Sequence, residues 1–382
     1  MDPLFLEAAT QVHNRVVSQW KEAGKKIIGY VCSHVPEELI AAAGFYPYRL
    51  RGIETLSTAI GETYFGPFIC SCPKAILQNA GMGRFSFLDG AVMVQACDSM
   101  RRLDECWRKA GEDFQNILPA FWHYFGVPHK VTDYSLKWFA EEIEKLATSL
   151  SAHFNVSITS EALFETIDLY NETRRLEKDL EALRMLPDPP LTGAQAMTLV
   201  LAGTALPKQV YNPMLSSAME ELKGKKGHNA DKKRILLAGS VVDDLSLIEI
   251  IERENAIVVA DTVCFGARAF LGQVDNARSP FEALASRYLH EQFCPRMFGA
   301  TAQRFDLLKQ KISSARVDAV VFQNIRFCDL HGSENGLFEA RLEKEGIPSM
   351  RVEREYGALA DEGRVRMRVG AFLETIPKRR AA

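Results

Sequence analysis

The chain opens with hydrophobic positions at helical spacing and continues with short apolar runs that are typical of buried strands. An amphipathic N-terminal helix is predicted from a stripe of apolar side chains at Phe5, Val12, Val16 and Trp20. The apolar run at 27–32 predicts a strand, and further strands are predicted at 90–96 and 117–125. Strands that alternate with helices in this way indicate a parallel sheet covered by helices.

The helix predicted after the first strand has clear start and stop signals. Pro36 stands at its first position and Gly44 ends it, while Glu37 and Glu38 lie in its first turn. Proline suits the first turn of a helix, acidic groups favour its N-terminal end, and glycine favours its C-terminus. We therefore expect a helix over residues 36–44.

The middle of the chain, from 134 to 222, carries only helical periodicity. A long helix is predicted to begin at Ser160 and to stop at the proline-rich stretch 187–190. Thr192 with Gln195 has the spacing of a capping box, in which two side chains satisfy each other's backbone N–H groups, so another helix should begin there.

Beyond a polar linker at 223–229 the alternation of strands and helices resumes. Strands are predicted at 234–238, 256–260, 317–322 and 348–352, and helices at 247–253, 336–344 and 364–375. The predicted fold is of the α/β class, with two doubly wound parallel-sheet domains of Rossmann or flavodoxin type. The expected parts are an N-terminal α/β domain (1–133), a helical segment (134–222) and a C-terminal α/β domain (223–382).

Composition narrows the possible functions. The 382 residues are 47% hydrophobic and 25% charged, with a net charge of −3, so no excess of positive charge indicates nucleic-acid binding. No apolar run approaches the roughly 18 residues that a membrane span needs, and the first residues carry an early acid in place of the basic head of a signal peptide. We expect a cytoplasmic protein without nucleic-acid or membrane partners.

Three of the eight cysteines lie just beyond predicted strands. Cys97 directly follows the strand at 90–96, Cys264 follows the strand that ends before Asp261, and Cys328 follows the strand at 317–322. Ligands of open α/β sheets bind at the carboxyl ends of strands. A ligand role and simple packing both remain open for these residues, since free cysteine is among the most buried residue types.

Several catalytic and metal-binding motifs are absent from the sequence. It has no Gly-x-x-x-x-Gly-Lys-Ser/Thr phosphate loop, no Gly-x-Gly-x-x-Gly after the first strand and no His-x-x-x-His. Cys70 and Cys72 are too close for a zinc ribbon, and the compact cysteine runs of ferredoxins are missing. If an iron–sulfur cluster is bound, its ligands must come from distant parts of the chain.

A series of segments, in order along nearly the whole chain, resembles the 2-hydroxyacyl-CoA dehydratase and benzoyl-CoA reductase family. They are GYVCSHVPEELI at 29–40, AAG at 42–44, CSCPK at 70–74, LDG at 88–90, ACDSMRRL at 96–103 before Trp107, ILLAGS at 235–240, DTVC at 261–264 before Gly266 and Arg268, FCD at 327–329, EGIP at 345–348 and GAFLE at 370–374. Their order and spacing carry the resemblance.

The resemblance implies one [4Fe–4S] cluster per chain, held by three cysteines between two α/β domains. Its first ligand usually precedes a basic residue by four positions, which selects Cys70, with Lys74, over Cys72. The second and third correspond to Cys97 and Cys328. Three thiolates leave one iron of the cluster without a protein ligand, as a catalytic cluster requires.

The family also implies partners and a reaction type. The expected partners are an acyl-CoA substrate, a homologous second subunit, and an ATP-hydrolysing iron–sulfur activator with its electron donor. In the dehydratases an electron added to the thioester leads to loss of a 2-hydroxyl group, and in the reductases electrons enter the aromatic ring. The missing phosphate loop agrees with ATP being bound by another protein.

The final segment departs from the family. GRVRMR at 363–368 stands where Gly-Gln-x-x-Thr-Arg is common, and EREY at 353–356 replaces Glu-x-Asp-Tyr. Arg364 and Met367 thus replace polar residues, and several aromatic residues lie near the expected ligands or strand ends, namely Phe65, Phe68, Phe121, Trp122 and Phe327. These features favour a benzoyl-CoA-reductase-type subunit, with a dehydratase subunit as the alternative.

Other interpretations remain open. Cys32, Cys264 and Cys294 also stand where some relatives have cysteines, so six ligands and a double-cubane cluster are a further alternative, whereas Cys72 and Cys106 are expected to pack. A metal-free α/β ligand-binding module, or an iron-bearing companion subunit without turnover of its own, belongs to a different class of function.

Overall fold

Two parallel sheets organise the molecule. The computed structural model describes residues 1–227, 229–357, 359 and 361–377. The first sheet contains β1 (Ile27–Tyr30), β2 (Tyr46–Arg49), β3 (Gly90–Val94) and β4 (Phe121–Phe125), in the order β2-β1-β3-β4. The second contains β5 (Lys233–Gly239), β6 (Ala256–Asp261), β7 (Ala319–Ile325) and β8 (Ser349–Arg354), in the order β6-β5-β7-β8.

Helices connect the strands and cover both sheets. Those around the first sheet are α1 (Pro3–Thr10), α2 (Arg15–Glu22), α3 (Glu37–Ala42), α4 (Ala59–Tyr64), α5 (Ser71–Gly81) and α6 (Asp98–Asp113). The middle of the chain forms α7 (Asp133–Phe154), α8 (Ser160–Met185), α9 (Gly193–Gly203) and α10 (Lys208–Lys223). Around the second sheet lie α11 (Ser246–Arg253), α12 (Pro280–His290), α13 (Thr301–Ser314), α14 (Asp329–Lys344) and α15 (Glu362–Thr375).

The sheets share the doubly wound topology. β2 and β3 lie on opposite sides of β1, and β6 and β7 lie on opposite sides of β5. All pairs are parallel, and most strand residues are buried, as expected for apolar strands covered by helices on both faces. This confirms the predicted α/β class. It also creates a switch point in each sheet, where ligand-binding crevices form at the carboxyl ends of strands.

The helical segment packs against both halves of the chain. α8 contacts α3 on one side and β6 on the other, where Arg184 forms a buried ion pair with Asp261 at 2.7 Å. The predicted division into 1–133, 134–222 and 223–382 stays a prediction. No helix of the described residues is both long and apolar enough to cross a bilayer.

The prediction of one N-terminal helix is wrong, because the chain breaks between α1 and α2. The side chain of Asn14 accepts hydrogen bonds from the backbone N–H groups of Val16 and Val17, which starts a new helix. The N–H of Val12 donates to Glu54 Oε2 at 2.5 Å, a bond to a residue 42 positions away. Local periodicity cannot reveal such a bond.

Two elements near the site differ from their sequence predictions. β2 was not predicted, since Pro47 interrupts it; proline is tolerated there because β2 is an edge strand. The helix predicted at 336–344 begins two turns earlier, at Asp329. The prediction missed this start because Gly332 and Gly336, which are unfavourable inside helices, lie within its first turns. Cys328 therefore directly precedes a helix.

Candidate functional site

Three of the predicted site residues each stand immediately before a helix. Cys70 precedes α5, Cys97 precedes α6 and Cys328 precedes α14. Cys97 and Cys328 occupy equivalent places in the two sheets, since each follows the third strand along the chain in its sheet, next to the switch point. Cys70 lies in the crossover between β2 and β3.

The thiols of these three residues lie in one buried region. Burial raises the pKa of Cys97 well above that of a free thiol, and the neighbouring Cys70 thiol adds to the increase. Burial likewise raises the pKa of Cys328 to about 12, again with a contribution from Cys70. Cys70, whose own pKa is raised by burial, thus lies close to both of the others.

The helix N-termini lower the pKa of each of these thiols and so oppose the effect of burial. The backbone N–H groups of Cys72, Met100 and His331, in the first turns of α5, α6 and α14, favour the thiolate forms. The Ser99 hydroxyl also donates towards the Cys70 thiol and lowers its pKa. Buried thiols hold their protons until a metal replaces them, and oriented N–H groups then stabilise the thiolates.

The other cysteines fall into two groups. Cys32 belongs to the same buried region: burial raises its pKa to about 11, and the Cys294 and Cys264 thiols contribute. Cys294 also raises the pKa values of Cys97 and Cys328. The structure therefore gathers all six cysteines named from the resemblance in one region of the molecule.

Cys72 and Cys106 differ in position. Cys72 is buried beside this region, and its pKa is raised by burial and then by the Cys70 thiol. Cys106 lies apart on α6, with its thiol directed at the Tyr64 carbonyl oxygen at 3.4 Å.

Among the described residues, no group of three or more His, Cys, Asp or Glu side chains could hold a metal ion. A single ion needs all its ligands in one coordination sphere, whereas each iron of a cubane takes its own thiolate, so the ligands of a cubane stand further apart.

Buried arginines shape the loops that carry these cysteines. Arg296 donates hydrogen bonds to the carbonyl oxygens of Gln95 and Ala96, just before Cys97, at 3.0 Å each, and to those of Val127 and Pro128. Sequence reasoning missed Arg296, because it lies in a loop for which no element was predicted.

Arg49 at the end of β2 was also missed. Its guanidinium donates to the Cys264 carbonyl oxygen at 3.0 Å and to Ser33 Oγ at 2.8 Å, and it lies over the Phe265 ring. It ties the first sheet to the loop after β6. By contrast, Arg101 and Arg102 form exposed ion pairs along α6 with Asp98 and Glu105.

A cavity of about 810 Å³ is lined by the chain neighbours of Cys70 and Cys328, between segments of both halves of the chain. We call it the intersheet cavity; its lining residues are Thr55, Leu56, Ser57, Thr58, Glu62, Phe65, Pro67, Ile69, Ser71, Lys74, Phe327, Glu355 and Tyr356. Ser71 Oγ donates to Glu355 Oε2 at 2.6 Å and accepts from the Tyr356 N–H at 2.8 Å. These bonds join α5 to the loop after β8.

The aromatic residues singled out from the sequence divide between cavity and core. Phe65 and Phe327 line the intersheet cavity, and exposed Phe68 packs edge-to-face on Phe327 with ring centroids 5.6 Å apart. Phe121 and Trp122 lie elsewhere, in β4, and pack against other aromatic rings. Packing alone accounts for those two.

Phe327 has an unusual backbone conformation for an aromatic residue, with φ of 63°. Non-glycine residues in this left-handed region carry strain, which is often found at functional sites. Here it turns the chain from β7 into α14 directly before Cys328.

Comparison with known proteins identifies the family of this chain. The family model for the 2-hydroxyglutaryl-CoA dehydratase D-component matches residues 32–376. The C subunit of benzoyl-CoA reductase from Thauera aromatica is 26% identical over 375 residues, covering 94% of this chain and 93% of the relative. The (R)-phenyllactyl-CoA dehydratase beta subunit of Clostridium sporogenes is 24% identical over 371 residues, 94% of each chain.

A third relative, the beta subunit of (R)-2-hydroxyglutaryl-CoA dehydratase from Acidaminococcus fermentans, is 20% identical over 369 residues, covering 94% of this chain and 95% of its own. The family resemblance seen in the sequence is thereby confirmed over almost the full length. Because the family model covers residues 32–376, with seven of the eight strands and all three cysteines that precede helices, the chain belongs to the 2-hydroxyglutaryl-CoA dehydratase D-component family.

Proposed function

We propose that the chain is the iron–sulfur subunit of an acyl-CoA enzyme that depends on an ATP-driven activator, of the benzoyl-CoA reductase type. Cys70, Cys97 and Cys328 would hold one [4Fe–4S] cluster. The observation that carries the proposal is the convergence of three buried or partly buried cysteines, each before a helix, from segments attached to both sheets.

The surroundings of the thiols suit the binding of a cluster through thiolates. When bound, the cluster would supply electrons one at a time to a thioester substrate, and the iron without a thiolate would remain accessible. The chain's own contribution is to hold the thiolates with helix N-termini and to fix the loop before Cys97 through Arg296.

The acyl group would enter the intersheet cavity, whose volume is within the range of ligand sites. Phe65 and Phe327 give it an apolar wall, which favours an aromatic acyl group, and a relative at 26% identity is named as part of a benzoyl-CoA reductase. A dehydratase subunit is the second candidate, because a relative at 24% identity is named (R)-phenyllactyl-CoA dehydratase beta subunit.

The names of the relatives also support the proposed assembly. Each is a subunit of a larger enzyme, so we propose that this chain pairs with a homologous second subunit. Docking of a separate ATP-hydrolysing activator is part of the same proposal. Omitting this chain from the reconstituted complex should abolish turnover; activity that survives its omission would make it a companion without a catalytic part.

The ligand set is tested by replacing cysteines one at a time. Cys70→Ser, Cys97→Ser and Cys328→Ser should each lose most of the bound iron after anaerobic purification, because a hydroxyl is a harder and far less acidic donor than a thiol. Cys106→Ser is the matched control, since its thiol points away from the site. Full iron content in the Cys97→Ser or Cys328→Ser protein would refute the assignment.

A double-cubane cluster is the other cofactor candidate, favoured by the position of Cys32, Cys264 and Cys294 in the same buried region. Iron and sulfide analysis separates the two, with about four irons per chain expected for three ligands and about eight for six. We expect four irons per chain.

The products of turnover identify the substrate. A dienoyl-CoA formed from benzoyl-CoA supports the reductase, and an enoyl-CoA formed from a 2-hydroxyacyl-CoA supports the dehydratase.

A further inference from the structure

A small cavity lies where the first sheet, the helical segment and the second half of the chain meet. We call it the junction cavity; buried polar side chains from β2, from α8, α10 and α12 and from the loop after α12 line it, among them Arg49, Arg174, Lys208, Arg287 and Gln292. Its volume is about 40 Å³, whereas one water molecule needs roughly 10–15 Å³. The cavity therefore has room for a small ligand.

Three of the residues that line the junction cavity carry a hydrogen-bond donor without an acceptor. The donors are Arg49 Nε, Arg287 Nε and Gln292 Nε2, and all three atoms are shielded from solvent. The hydrogen bonds of the two guanidiniums go to backbone carbonyl oxygens and a hydroxyl group. Burying a donor without an acceptor costs free energy, so three such donors around one cavity indicate that the acceptor comes from outside the chain.

The carboxyl groups near the junction cavity already have partners. The pairs are Glu37 with Lys208, Glu38 with Arg174, and Glu177 with the Tyr211 hydroxyl. No ion pair joins the guanidinium of Arg49 or Arg287 to a carboxylate of any described residue. Both arginines are only 4% exposed, so two buried positive charges remain without a paired anion.

We propose that the junction cavity binds a small monovalent anion of the size of chloride, which accepts hydrogen bonds from Arg49 Nε, Arg287 Nε and Gln292 Nε2. A water molecule would accept the same bonds but would leave both guanidinium charges uncompensated, which is unfavourable in a buried site. An anion satisfies the donors and balances the charge. The volume of the cavity limits the ligand to a halide or an ion of similar size.

The anion would also fix the chain segment that carries Cys264. Arg49 donates to the Cys264 carbonyl oxygen at 3.0 Å, and Arg287 donates to the carbonyl oxygens of Ala269 and Leu271 at 2.6 and 3.1 Å. One ion bound to both guanidiniums would thus hold residues 264–271 against β2 and α12. This inference goes beyond the proposed function and does not depend on it, since neither iron nor an acyl-CoA takes part.

Crystals of the full chain grown with bromide as the only halide test the site directly, because bromide scatters X-rays anomalously at its absorption edge. We expect an anomalous peak within hydrogen-bonding distance of Arg49 Nε, Arg287 Nε and Gln292 Nε2. Density for water alone, without an anomalous signal, would overturn the proposal.

Thermal unfolding shows whether the anion binds in solution. When chloride replaces gluconate at constant ionic strength, the wild-type Tm should rise by roughly 2 °C for each tenfold increase in chloride above its Kd. A bromide peak in the crystal without this dependence in solution would mean binding at crystal concentration only, and it would also overturn the proposal.

A carboxylate built into the cavity should replace the anion. The Tm of Gln292→Glu should no longer depend on chloride and should exceed the wild-type value in chloride-free buffer. Gln310→Glu, at an exposed position of α13, is the matched control and should keep the wild-type dependence. A wild-type chloride dependence in Gln292→Glu would contradict the assignment.

A second variant covers the case in which Gln292→Glu does not fold. Gln292→Leu lacks one donor and should need at least tenfold more chloride than the wild type for the same rise in Tm; an unchanged chloride requirement would count against the site. Iron content and acyl-CoA turnover, measured on the same proteins, test the proposed function separately.

Discussion

Glu177 is a carboxyl group buried far inside the helical part of the chain. It lies on α8, where its Oε1 accepts a hydrogen bond from the Tyr211 hydroxyl at 3.0 Å. Burial raises its pKa from 4.5 to about 7, and the Lys208 ammonium and the Tyr211 hydroxyl offset part of this increase. Near neutral pH the Glu177 carboxyl of the folded protein is therefore partly protonated and partly ionised.

This carboxyl should make stability depend on pH. Because the pKa is raised in the folded state, its contribution is fully present below the unfolded pKa of 4.5 and is lost as pH rises through about 7. Glu177→Gln cannot ionise, so its free energy of unfolding relative to wild type should increase between pH 4.5 and 7, by on the order of 3 kcal/mol.

Urea denaturation across that pH range measures the difference. Glu172→Gln, at an exposed carboxylate on the same helix, is the control and should differ from wild type by nearly the same amount at every pH. A Glu177→Gln profile parallel to that of wild type would contradict a raised pKa.

At the scale of elements, the crossing of α4 over α5 depends on one residue without a side chain. A Cβ atom at Gly61 would lie within 2.8 Å of three backbone atoms of Lys74, and backbone cannot move aside as a flexible side chain can. Gly61→Ala should therefore push α4 outwards and lower the free energy of unfolding by about 1–3 kcal/mol.

Thermal or urea denaturation checks this expectation. Gly363→Ala is the matched control, since a Cβ atom there meets nothing within 4 Å and the residue lies in the first turns of α15. Equal stability of Gly61→Ala and wild type would mean that the two helices are not in the close contact described.

Elements that depend on local chemistry could be predicted from the sequence. The capping box of α9 is an example: the Gln195 N–H donates to Thr192 Oγ1, and the Thr192 N–H donates to Gln195 Oε1. Elements that depend on distant residues could not, as the break before α2 shows, where Val12 bonds to Glu54. Sequence patterns contain information on such local interactions, but they do not show which distant residues come into contact.

The same limit applies to the candidate site. The position of Cys97 and Cys328 beyond strands follows from the strand pattern, because parallel strands bring their carboxyl ends to one edge. Cys70 precedes a helix within a crossover, so the strand argument could not reach it, and only the family resemblance selected it. Arg296 could not be predicted from the sequence, since its bonds go to two loops that lie 168 to 201 residues away along the chain.

At the scale of the whole molecule, the apolar core around the first sheet extends into the second half of the chain. It includes strand residues of the first sheet together with Ala283, Leu284 and Leu289 of α12 and Ile325 of β7. Arg49, Arg296 and the Ser71–Glu355 pair add polar bonds across the same boundary. The two halves should therefore unfold together.

The positions of the tryptophans make this measurable. Trp20, Trp107, Trp122 and Trp138 all lie in the first 154 residues, so tryptophan fluorescence reports on that half, whereas far-UV circular dichroism reports on all helices. The two urea transitions should coincide, as two-state unfolding requires. A fluorescence transition displaced from the dichroism transition would show that the halves are separately stable.

The origin of the three thiols in distant segments has a consequence for how the protein is made in the cell. Cys97 leaves the ribosome 231 residues before Cys328, which is 328 minus 97. At roughly 5–20 residues per second the nascent chain exposes two of the proposed ligands for roughly 10–50 s before the third exists. Iron delivery is then expected to follow chain release. If the proposed cluster is present, a cell short of iron should accumulate full-length protein without it, and chains truncated before Cys328 should never acquire it.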